Sequence, residues 1–226
     1  PYITLICNEA KMYEVGTIVA PSYEASLYAG KYEFGPDTGV HSNVWSIVDN
    51  KGNPSLNNKG EFKELLVEDD TNYTITASVS YSDGEIPLTN LGNAYIEGQI
   101  TGKTISTTKS FVSGYRNSFY GTLEEKDILT SDIIRGLKSY NAKMTDNTSL
   151  VVDLPVGAKR VVFAYPATLP DLVSVNDKNG FDANIIDSFK MEIIAVEGNN
   201  HYSPIDYKVY SIDFANPYNT TNYYTF

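Results

Sequence analysis

The most constraining feature of this sequence is a strict alternation that runs from Asn72 to Tyr81, "NYTITASVSY". Small hydroxylated residues alternate there with bulky or apolar ones, at Tyr73, Ile75, Ala77, Val79 and Tyr81. A period of two places successive side chains on opposite faces of a β-strand. The pattern therefore predicts a strand with one buried face, and the "SDG" that follows predicts a turn.

Further strand patterns recur along the chain. The segment "VWSIVDNKGN" predicts a short strand that ends in a turn, and "KRVVFAYP" is a continuous apolar run typical of a central strand, ended by Pro166. "FKMEIIAVEG", "YKVYSIDF" and "NYYTF" predict three more strands, and "SVNDKNGFD" predicts a hairpin or long turn. We therefore expect a mainly all-β protein.

One short helix is expected near residues 131–139, in "LTSDIIRGLKSYN". Thr130 or Ser131 is a suitable N-cap, and Lys138 would lie in the last turn. Gly136 weakens such a helix by about 1 kcal/mol relative to alanine. A helix this short needs a sheet to pack against.

Three residues of the first half indicate an immunoglobulin-like core. Tyr73 precedes the apolar Ile75 by two residues, as in the tyrosine corner of these sandwiches, and Trp45 lies where they place their core tryptophan. Ile75 stands at the position of the second antibody cysteine, and Cys7 is the only cysteine in the chain. We expect a disulfide-free sandwich in which Trp45 is mostly buried and the Tyr73 hydroxyl bonds a backbone group a few residues upstream.

The length of 226 residues suits two domains of roughly 110 residues each. We predict two β-sandwich-like domains. Residues 1–108 form the immunoglobulin-like one, and residues 109–226 form a β-rich second one that carries the short helix. Because the sequence begins at Pro1, we expect a processed product or a fragment.

The charge and composition argue against several functional classes. A net charge of −11 disfavours binding to nucleic acid, which needs clustered lysine and arginine. No apolar run approaches the roughly 20 residues of a membrane span. The two histidines, His41 and His201, have no metal-spaced neighbour in the sequence, and no G-x-S-x-G motif is present. We therefore assign no catalytic, cofactor-binding or metal-binding residues and expect a protein that is not an enzyme.

Two other motifs are candidate ligand sites. "GQITGKT" is one residue too short for a phosphate-binding loop and predicts a glycine turn. Asp177, Asn179 and Asp182 could form a weak calcium site, although Asn and Gly at such positions are also ordinary turn residues. A glycan hydrolase would need two carboxylates facing each other across a cleft, which sequence spacing cannot show.

The segment "GYRNSFYGTL" places an arginine and an asparagine inside an aromatic cluster: Tyr115, Arg116, Asn117, Phe119 and Tyr120. An arginine stacked on an aromatic ring gains roughly 0.5–2 kcal/mol. A buried arginine also needs a carboxylate or carbonyl partner. We expect these residues to form the junction between the two domains or part of the second core, with Arg116 contacting an aromatic face or a carboxylate. A ligand site is the alternative.

Several long phrases resemble one family. "GYRNSFYGTL", "TSDIIRGL", "LPVGAKRVVFAYPATLPDL" and "YKVYSIDFANP" are similar to virion-associated structural proteins of tailed phages of gut and anaerobic bacteria. The first half resembles the immunoglobulin-like module that these proteins carry. The resemblance covers nearly the whole chain and implies a particle component located in the virion, with no catalytic residues.

The resemblance implies a non-enzymatic structural part of a tailed-phage particle, in the tail, baseplate or fibre apparatus. Its expected partners are copies of itself, in a homo-oligomer, and other virion proteins, without nucleic acid, membrane or cofactor. The alternatives are a capsid decoration or head-fibre protein and a carbohydrate-binding adhesin that recognises a host glycan through tyrosines. The terminal segments "PYITLIC" and "NYYTF" both predict strands, and unpaired edge strands recruit partners.

Overall fold

A computed structural model of the chain describes residues 1–7, 11–28, 43–140, 149–218 and 222–225. In this part the chain is mainly β, with nineteen strands and one α-helix of five residues. The predicted all-β class with one short helix is therefore confirmed. Contacts within the chain divide it into two compact units, Pro1–Tyr13 with Thr17–Gly114 and Glu14–Gly16 with Tyr115–Phe226.

The division between the units follows Gly114, whereas we predicted a boundary at residue 108. Residue 108 lies inside a twelve-residue strand, Lys103–Gly114. That strand pairs antiparallel with its neighbour as far as Val112 opposite Asn72, so its two ends belong to one sheet. The segment Glu14–Gly16 was expected in the first domain but makes its contacts in the second unit.

The first 114 residues form ten strands and a 3₁₀ turn at Ile96–Gly98. The strands are β1 (Tyr2–Cys7), β2 (Met12–Glu14), β3 (Ile18–Val19), β4 (Ser22–Tyr28), β5 (Asn43–Asp49), β6 (Pro54–Ser55), β7 (Lys59–Glu61), β8 (Leu65–Leu66), β9 (Asn72–Tyr81) and β10 (Lys103–Gly114). They form a three-stranded sheet of order β1-β4-β7, a five-stranded sheet of order β2-β10-β9-β5-β6 and a β3–β8 pair.

The two larger sheets of the first unit share one apolar core, so this unit is a sandwich. The core includes residues from both sheets, namely Leu5, Tyr23, Ala25, Ile47, Tyr73, Ile75, Ala77 and Phe111. The strand order places β1, β4 and β7 where an immunoglobulin-like sandwich has strands A, B and E. It places β10, β9, β5 and β6 where that fold has G, F, C and C′. Strand β9 has the bounds that its alternation predicts.

Tyr73 and Ile75 are buried in this core, and one detail differs from the prediction. Trp45 lies on the same face of β5 as Ile47 and Asp49 and packs against the core with most of its surface buried, as predicted. The Tyr73 hydroxyl donates to Oδ2 of Asp49 at 2.6 Å, a side chain rather than a backbone group. The pairing of β5 with β9 sets Asp49 opposite Ile75, and this register brings the carboxylate close to Tyr73.

The second unit contains nine strands, the helix α1 (Ser131–Arg135) and 3₁₀ turns at Ile186–Ser188 and Asn199–His201. The strands are β11 (Ser118–Leu123), β12 (Lys138–Tyr140), β13 (Val151–Leu154), β14 (Arg160–Pro166), β15 (Asn176–Asp177), β16 (Ala183–Asn184), β17 (Lys190–Val196), β18 (Ile205–Asp213) and β19 (Asn222–Thr225). A five-stranded sheet has the order β12-β11-β14-β18-β17, and a four-stranded sheet has the order β13-β19-β15-β16.

The five-stranded sheet is covered on both faces. One face packs against the four-stranded sheet through residues such as Val152, Phe163 and Tyr224, and the other packs against α1 through residues such as Ile134 and Val209. Strand β14 is therefore buried on both sides at the centre of the sheet. This position explains its uninterrupted apolar sequence, and the prediction of a central strand is confirmed.

Helix α1 is shorter than predicted. The Thr130 side chain accepts the expected capping hydrogen bond from the Ile133 amide. The helix ends at Arg135, since Gly136 serves as the C-cap, and Lys138 begins β12 instead of lying in a last helical turn. Residues after Gly136 gain hydrogen bonds by pairing with β11, an alternative that local helix signals do not reveal.

The two terminal strands differ in their environment. Strand β1 is the last strand of its sheet and pairs with β4. Strand β19 pairs with β13 on one side and β15 on the other, so it is an interior strand. Both terminal segments form strands as predicted, but the C-terminal strand is not an unpaired edge, because it completes the smaller sheet of the second unit.

Candidate functional site

The side chains of "GYRNSFYGTL" separate onto different surfaces of the second unit. Phe119 is buried and contacts the ring of Tyr207, with centroids 5.6 Å apart. Tyr120 packs against the core on the other face of the five-stranded sheet. The Tyr115 hydroxyl donates to the Ser203 carbonyl at 2.7 Å, and the Asn117 amide donates to the Tyr140 carbonyl at 3.0 Å. The aromatic residues therefore do not form a single ligand platform.

Of the two partners that we expected for Arg116, an aromatic face or a carboxylate, the structure shows a carboxylate. Its Nε donates to Oε2 of Glu14 at 2.7 Å, and Nη1 of Arg135 donates to Oε1 of the same carboxylate at 2.6 Å. The Glu14 side chain is only 6% exposed. One buried carboxylate thus binds two guanidinium groups. Arg116 lies just before β11, and Arg135 is the last residue of α1. The role of Arg116 as a junction between domains stays a prediction.

Tyr207 closes one side of this cluster. Its hydroxyl donates to the Arg116 carbonyl at 2.5 Å, and its ring lies in the core beneath α1. Burial, followed by the negative charge of Glu14, raises the pKa of the Tyr207 phenol well above its usual value. The hydroxyl therefore remains protonated and acts as a fixed donor.

The segment Glu14–Gly16 is held by a loop of the same unit. The Asn199 amide donates to the Val15 carbonyl at 2.8 Å, and Nδ2 of Asn200 donates to the Gly16 carbonyl at 3.0 Å. Gly16 has a φ of +84°, and a Cβ placed on it would lie 1.9 Å from the carbonyl oxygen of Asn199. Only glycine fits this close approach of two backbones.

Next to this loop, Asp132, Glu197 and His201 place one ligand-type atom each within 4.8 Å of one another. Nδ1 of His201 lies 2.7 Å from Oε2 of Glu197. The structure therefore corrects the expectation that neither histidine has a metal-spaced neighbour; His41 lies outside the described residues. The spacing of Glu197 and His201 by four positions was the one signal in the sequence, whereas Asp132 comes from a distant helix that only the fold brings near.

A second candidate site is the connection between β9 and β10, residues 82–102, which we call the F–G arm. Eleven of the thirteen residues from Glu85 to Glu97 are exposed, and these include five large apolar side chains, Ile86, Leu88, Leu91, Tyr95 and Ile96. In variable immunoglobulin domains the corresponding loop contacts the antigen. The arm thus carries an apolar surface at a position that this architecture uses for binding.

The F–G arm is internally hydrogen-bonded. The Thr89 amide donates to the Asn93 carbonyl and the Tyr95 amide to the Pro87 carbonyl, both at 2.7 Å. At its base the Gly102 amide donates to Oδ1 of Asp83 at 2.6 Å. The segment "GQITGKT", for which a glycine turn is predicted, forms the end of the F–G arm and leads into β10. The sequence did not indicate the arm, because its apolar residues follow no period.

A cavity of about 370 Å³ lies beside Tyr120. Its lining also includes Leu137, Lys138, Val152 and Asp153. Among the described residues that line it, a single carboxylate is present and no histidine or cysteine. This lining therefore does not provide the pair of facing carboxylates that glycoside hydrolysis requires.

The predicted hairpin at "SVNDKNGFD" is present as the β15–β16 pair. Oδ1 of Asp177 accepts hydrogen bonds from the amides of Asn179 and Gly180 and from Nδ2 of Asn222. Asp182 forms an ion pair with Lys178 at 2.5 Å. Both carboxylates thus have roles in the turn itself, which favours the turn interpretation over the calcium site.

No protein-family model matches the chain, and no curated protein or solved structure matches it. None of the helices in the described ranges has the length and apolar character needed to cross a bilayer.

Proposed function

We propose that the chain is a non-enzymatic structural component of a tailed-phage particle, in the tail, baseplate or fibre apparatus, which acts by binding other virion proteins. The F–G arm is the observation that carries this proposal. Five large apolar side chains stand exposed on one hydrogen-bonded connection. Apolar surface gathered in this way marks a contact site, since burying it against a partner is favourable by about 25 cal/mol per Å².

The charges around the arm indicate the chemistry of its partner. Asp83, Glu85 and Glu97 accompany the apolar side chains, and the whole chain carries a net charge of −11. Two like-charged arms would repel each other, whereas a groove with an apolar floor and a basic rim would complement this surface. The arm therefore suits a different virion protein better than a second copy of the chain.

Self-association is proposed through a separate surface, the β1 edge. Strand β1 ends its sheet, and its Tyr2 and Ile6 side chains are exposed. An edge strand offers backbone donors and acceptors to a neighbouring copy. A homo-oligomeric ring, trimer or lattice would use this edge between copies and leave the F–G arm for other proteins.

The adhesin alternative has less support. A glycan-binding face would gather exposed aromatic rings, but those among the described residues are scattered. Tyr2 and Tyr28 stack on each other on the first unit, Tyr95 lies on the F–G arm, and Phe181 lies in the turn between β15 and β16. Capsid decoration or a head fibre would use the same kind of protein contacts, and only the location in the particle distinguishes them.

The experiment is imaging of purified particles from a phage whose genome encodes this sequence, combined with mass spectrometry of the particle proteins. We expect the chain to be present in several symmetry-related copies in the tail, baseplate or fibres, with the F–G arm against another protein. Copies on the capsid would favour the decoration alternative. Absence from the particle, together with a monomeric isolated chain, would overturn the proposal in favour of an adhesin.

A further inference from the structure

We propose that Asp132, Glu197 and His201 bind a first-row divalent metal ion of the Zn²⁺ type. Their ligand atoms all lie within 4.8 Å of one another, and they combine one imidazole nitrogen with two carboxylate oxygens. Around Zn²⁺, with bonds of about 2.0–2.2 Å, such atoms would stand roughly 3–3.5 Å apart. To reach that spacing the side chains would rotate, and Nδ1 of His201 would move away from Oε2 of Glu197, which lies 2.7 Å from it. The site does not depend on the function proposed above.

The three residues are held in place by other contacts of the second unit. The Glu197 amide donates to Oγ of Ser131 at 3.0 Å, and Nη1 of Arg135 donates to the Glu197 carbonyl at 2.6 Å. Asp132 lies in the first turn of α1, and His201 ends the 3₁₀ turn that follows Glu197. The backbone is therefore arranged before any ion binds, which lowers the cost of binding.

The ligand types select the class of ion. Two carboxylates supply two negative charges, which balance a divalent cation. The imidazole favours Zn²⁺, Co²⁺ or Ni²⁺ over Ca²⁺ and Mg²⁺, which prefer oxygen ligands alone. Three protein ligands leave a fourth tetrahedral position for water or for a group from a partner.

An ion at this position would join α1 to the loop that holds the Glu14–Gly16 segment. Asn199 and Asn200, which bind the Val15 and Gly16 carbonyls, lie between the ligands Glu197 and His201. Binding to the folded state alone stabilises that state. We therefore expect metal to raise the stability of the second unit.

The test uses the full chain after treatment with a chelator. Titration calorimetry with Zn²⁺, and the visible absorption of Co²⁺, would measure binding and coordination. We expect one Zn²⁺ per chain, a rise in the melting temperature with Zn²⁺ but not with Ca²⁺, and a loss of affinity of at least about tenfold in both His201→Ala and Asp132→Asn. His41→Ala, which changes the only other histidine, is the matched control and should bind like the wild type.

Three results would overturn the assignment. These are the absence of Zn²⁺ binding to a folded chain, equal affinity in the wild type and His201→Ala, and the same loss of affinity in the His41→Ala control. Because Asp132 and His201 are both exposed, we expect their variants to fold, and circular dichroism would verify this.

Discussion

The hydrogen bond between Tyr73 and Asp49 fixes the corner of the first unit. Asp49 accepts from the Tyr73 hydroxyl, from the amides of Lys51 and Asn53 and from Nδ2 of Asn53. Burial tends to raise the pKa of Asp49, but the hydrogen bonds from Asn53 and Tyr73 outweigh it, so the pKa lies below its usual value. One carboxylate thus closes the turn after β5 and anchors the tyrosine of β9.

Tyr73→Phe removes one of these donors, and we expect it to cost about 1.5–3 kcal/mol of unfolding free energy, as for a hydrogen bond to a charged group. The lowered pKa means that ionised Asp49 stabilises the fold above its unfolded pKa of about 3.9, and this contribution is lost as the pH falls through the folded pKa. Urea unfolding between pH 7 and pH 2 should show a smaller acid-induced loss in Tyr73→Phe than in the wild type. Tyr95→Phe, on the exposed F–G arm, should keep the wild-type free energy of unfolding. A loss in Tyr95→Phe similar to that in Tyr73→Phe would contradict this account.

Glu14 holds two arginines, and its removal should be costly. Glu14→Gln leaves Arg116 and Arg135 without their shared charge in a site where the carboxylate is 6% exposed, so we expect a loss of about 3 kcal/mol. The control is Glu24→Gln, since Glu24 pairs with Lys59 while 49% exposed and should lose less than about 1 kcal/mol. Equal losses in the two variants, measured by urea unfolding, would show that the buried cluster is not a stabilising centre.

Close backbone packing adds to the side-chain hydrogen bonds that hold the Glu14–Gly16 segment. Gly16→Ala should destabilise the protein for two reasons, a φ of +84° and the approach of its Cβ to 1.9 Å from the Asn199 carbonyl. Gly52→Ala tests the effect of the positive φ alone, because Gly52 has a φ of +85° and a Cβ placed on it would have nothing within 4 Å. We expect a cost of about 1–2 kcal/mol for Gly52→Ala and clearly more for Gly16→Ala in thermal unfolding. Equal losses of stability in Gly16→Ala and Gly52→Ala would mean that the Glu14–Gly16 segment can move away from Asn199 without destabilising the protein.

Strands were predicted well where one physical signal determined them. Strand β9 follows from alternation, and β14 from an apolar run that is buried on both faces. Helix α1 was predicted too long, since the sequence signals of a helix end compete with pairing of Lys138 into β12, which depends on a distant strand. The contact of Trp45 with the core could be predicted from its position in the chain, and Trp45 shares the inward face of β5 with Ile47 and Asp49.

The β1 edge gives a test of self-association. Ile6 is 68% exposed on this terminal strand, and a lysine there should oppose pairing between edges. We expect Ile6→Lys to shift the sedimentation coefficient of the isolated chain from an oligomer toward a monomer. Val44→Lys is the control, because Val44 is 67% exposed on β5, which has neighbours on both sides. An unchanged oligomer in Ile6→Lys would exclude this edge as the contact.

The candidate sites were the least predictable part of the molecule, because each is assembled from distant segments. Glu14 meets Arg116 and Arg135 only after the chain has folded, and no spacing in the sequence links these three residues. An aromatic face or a carboxylate was expected as the partner of Arg116, but the sequence did not indicate that the partner is Glu14. The F–G arm offers a way to test the proposed role in a phage particle that is independent of the sequence resemblance.

Leu91 stands at the tip of the F–G arm and is 81% exposed, so Leu91→Asp should leave folding intact and change only what the arm binds. If the arm docks into an apolar groove of another virion protein, a charge at this position must be buried without a partner, which strongly disfavours the contact. We expect particles assembled with Leu91→Asp to lose the chain, as measured by mass spectrometry, while the variant keeps the wild-type melting temperature and sedimentation. Leu56→Asp, at 77% exposure on the same unit, should be incorporated normally. Normal incorporation of Leu91→Asp would show that the arm is not the assembly contact.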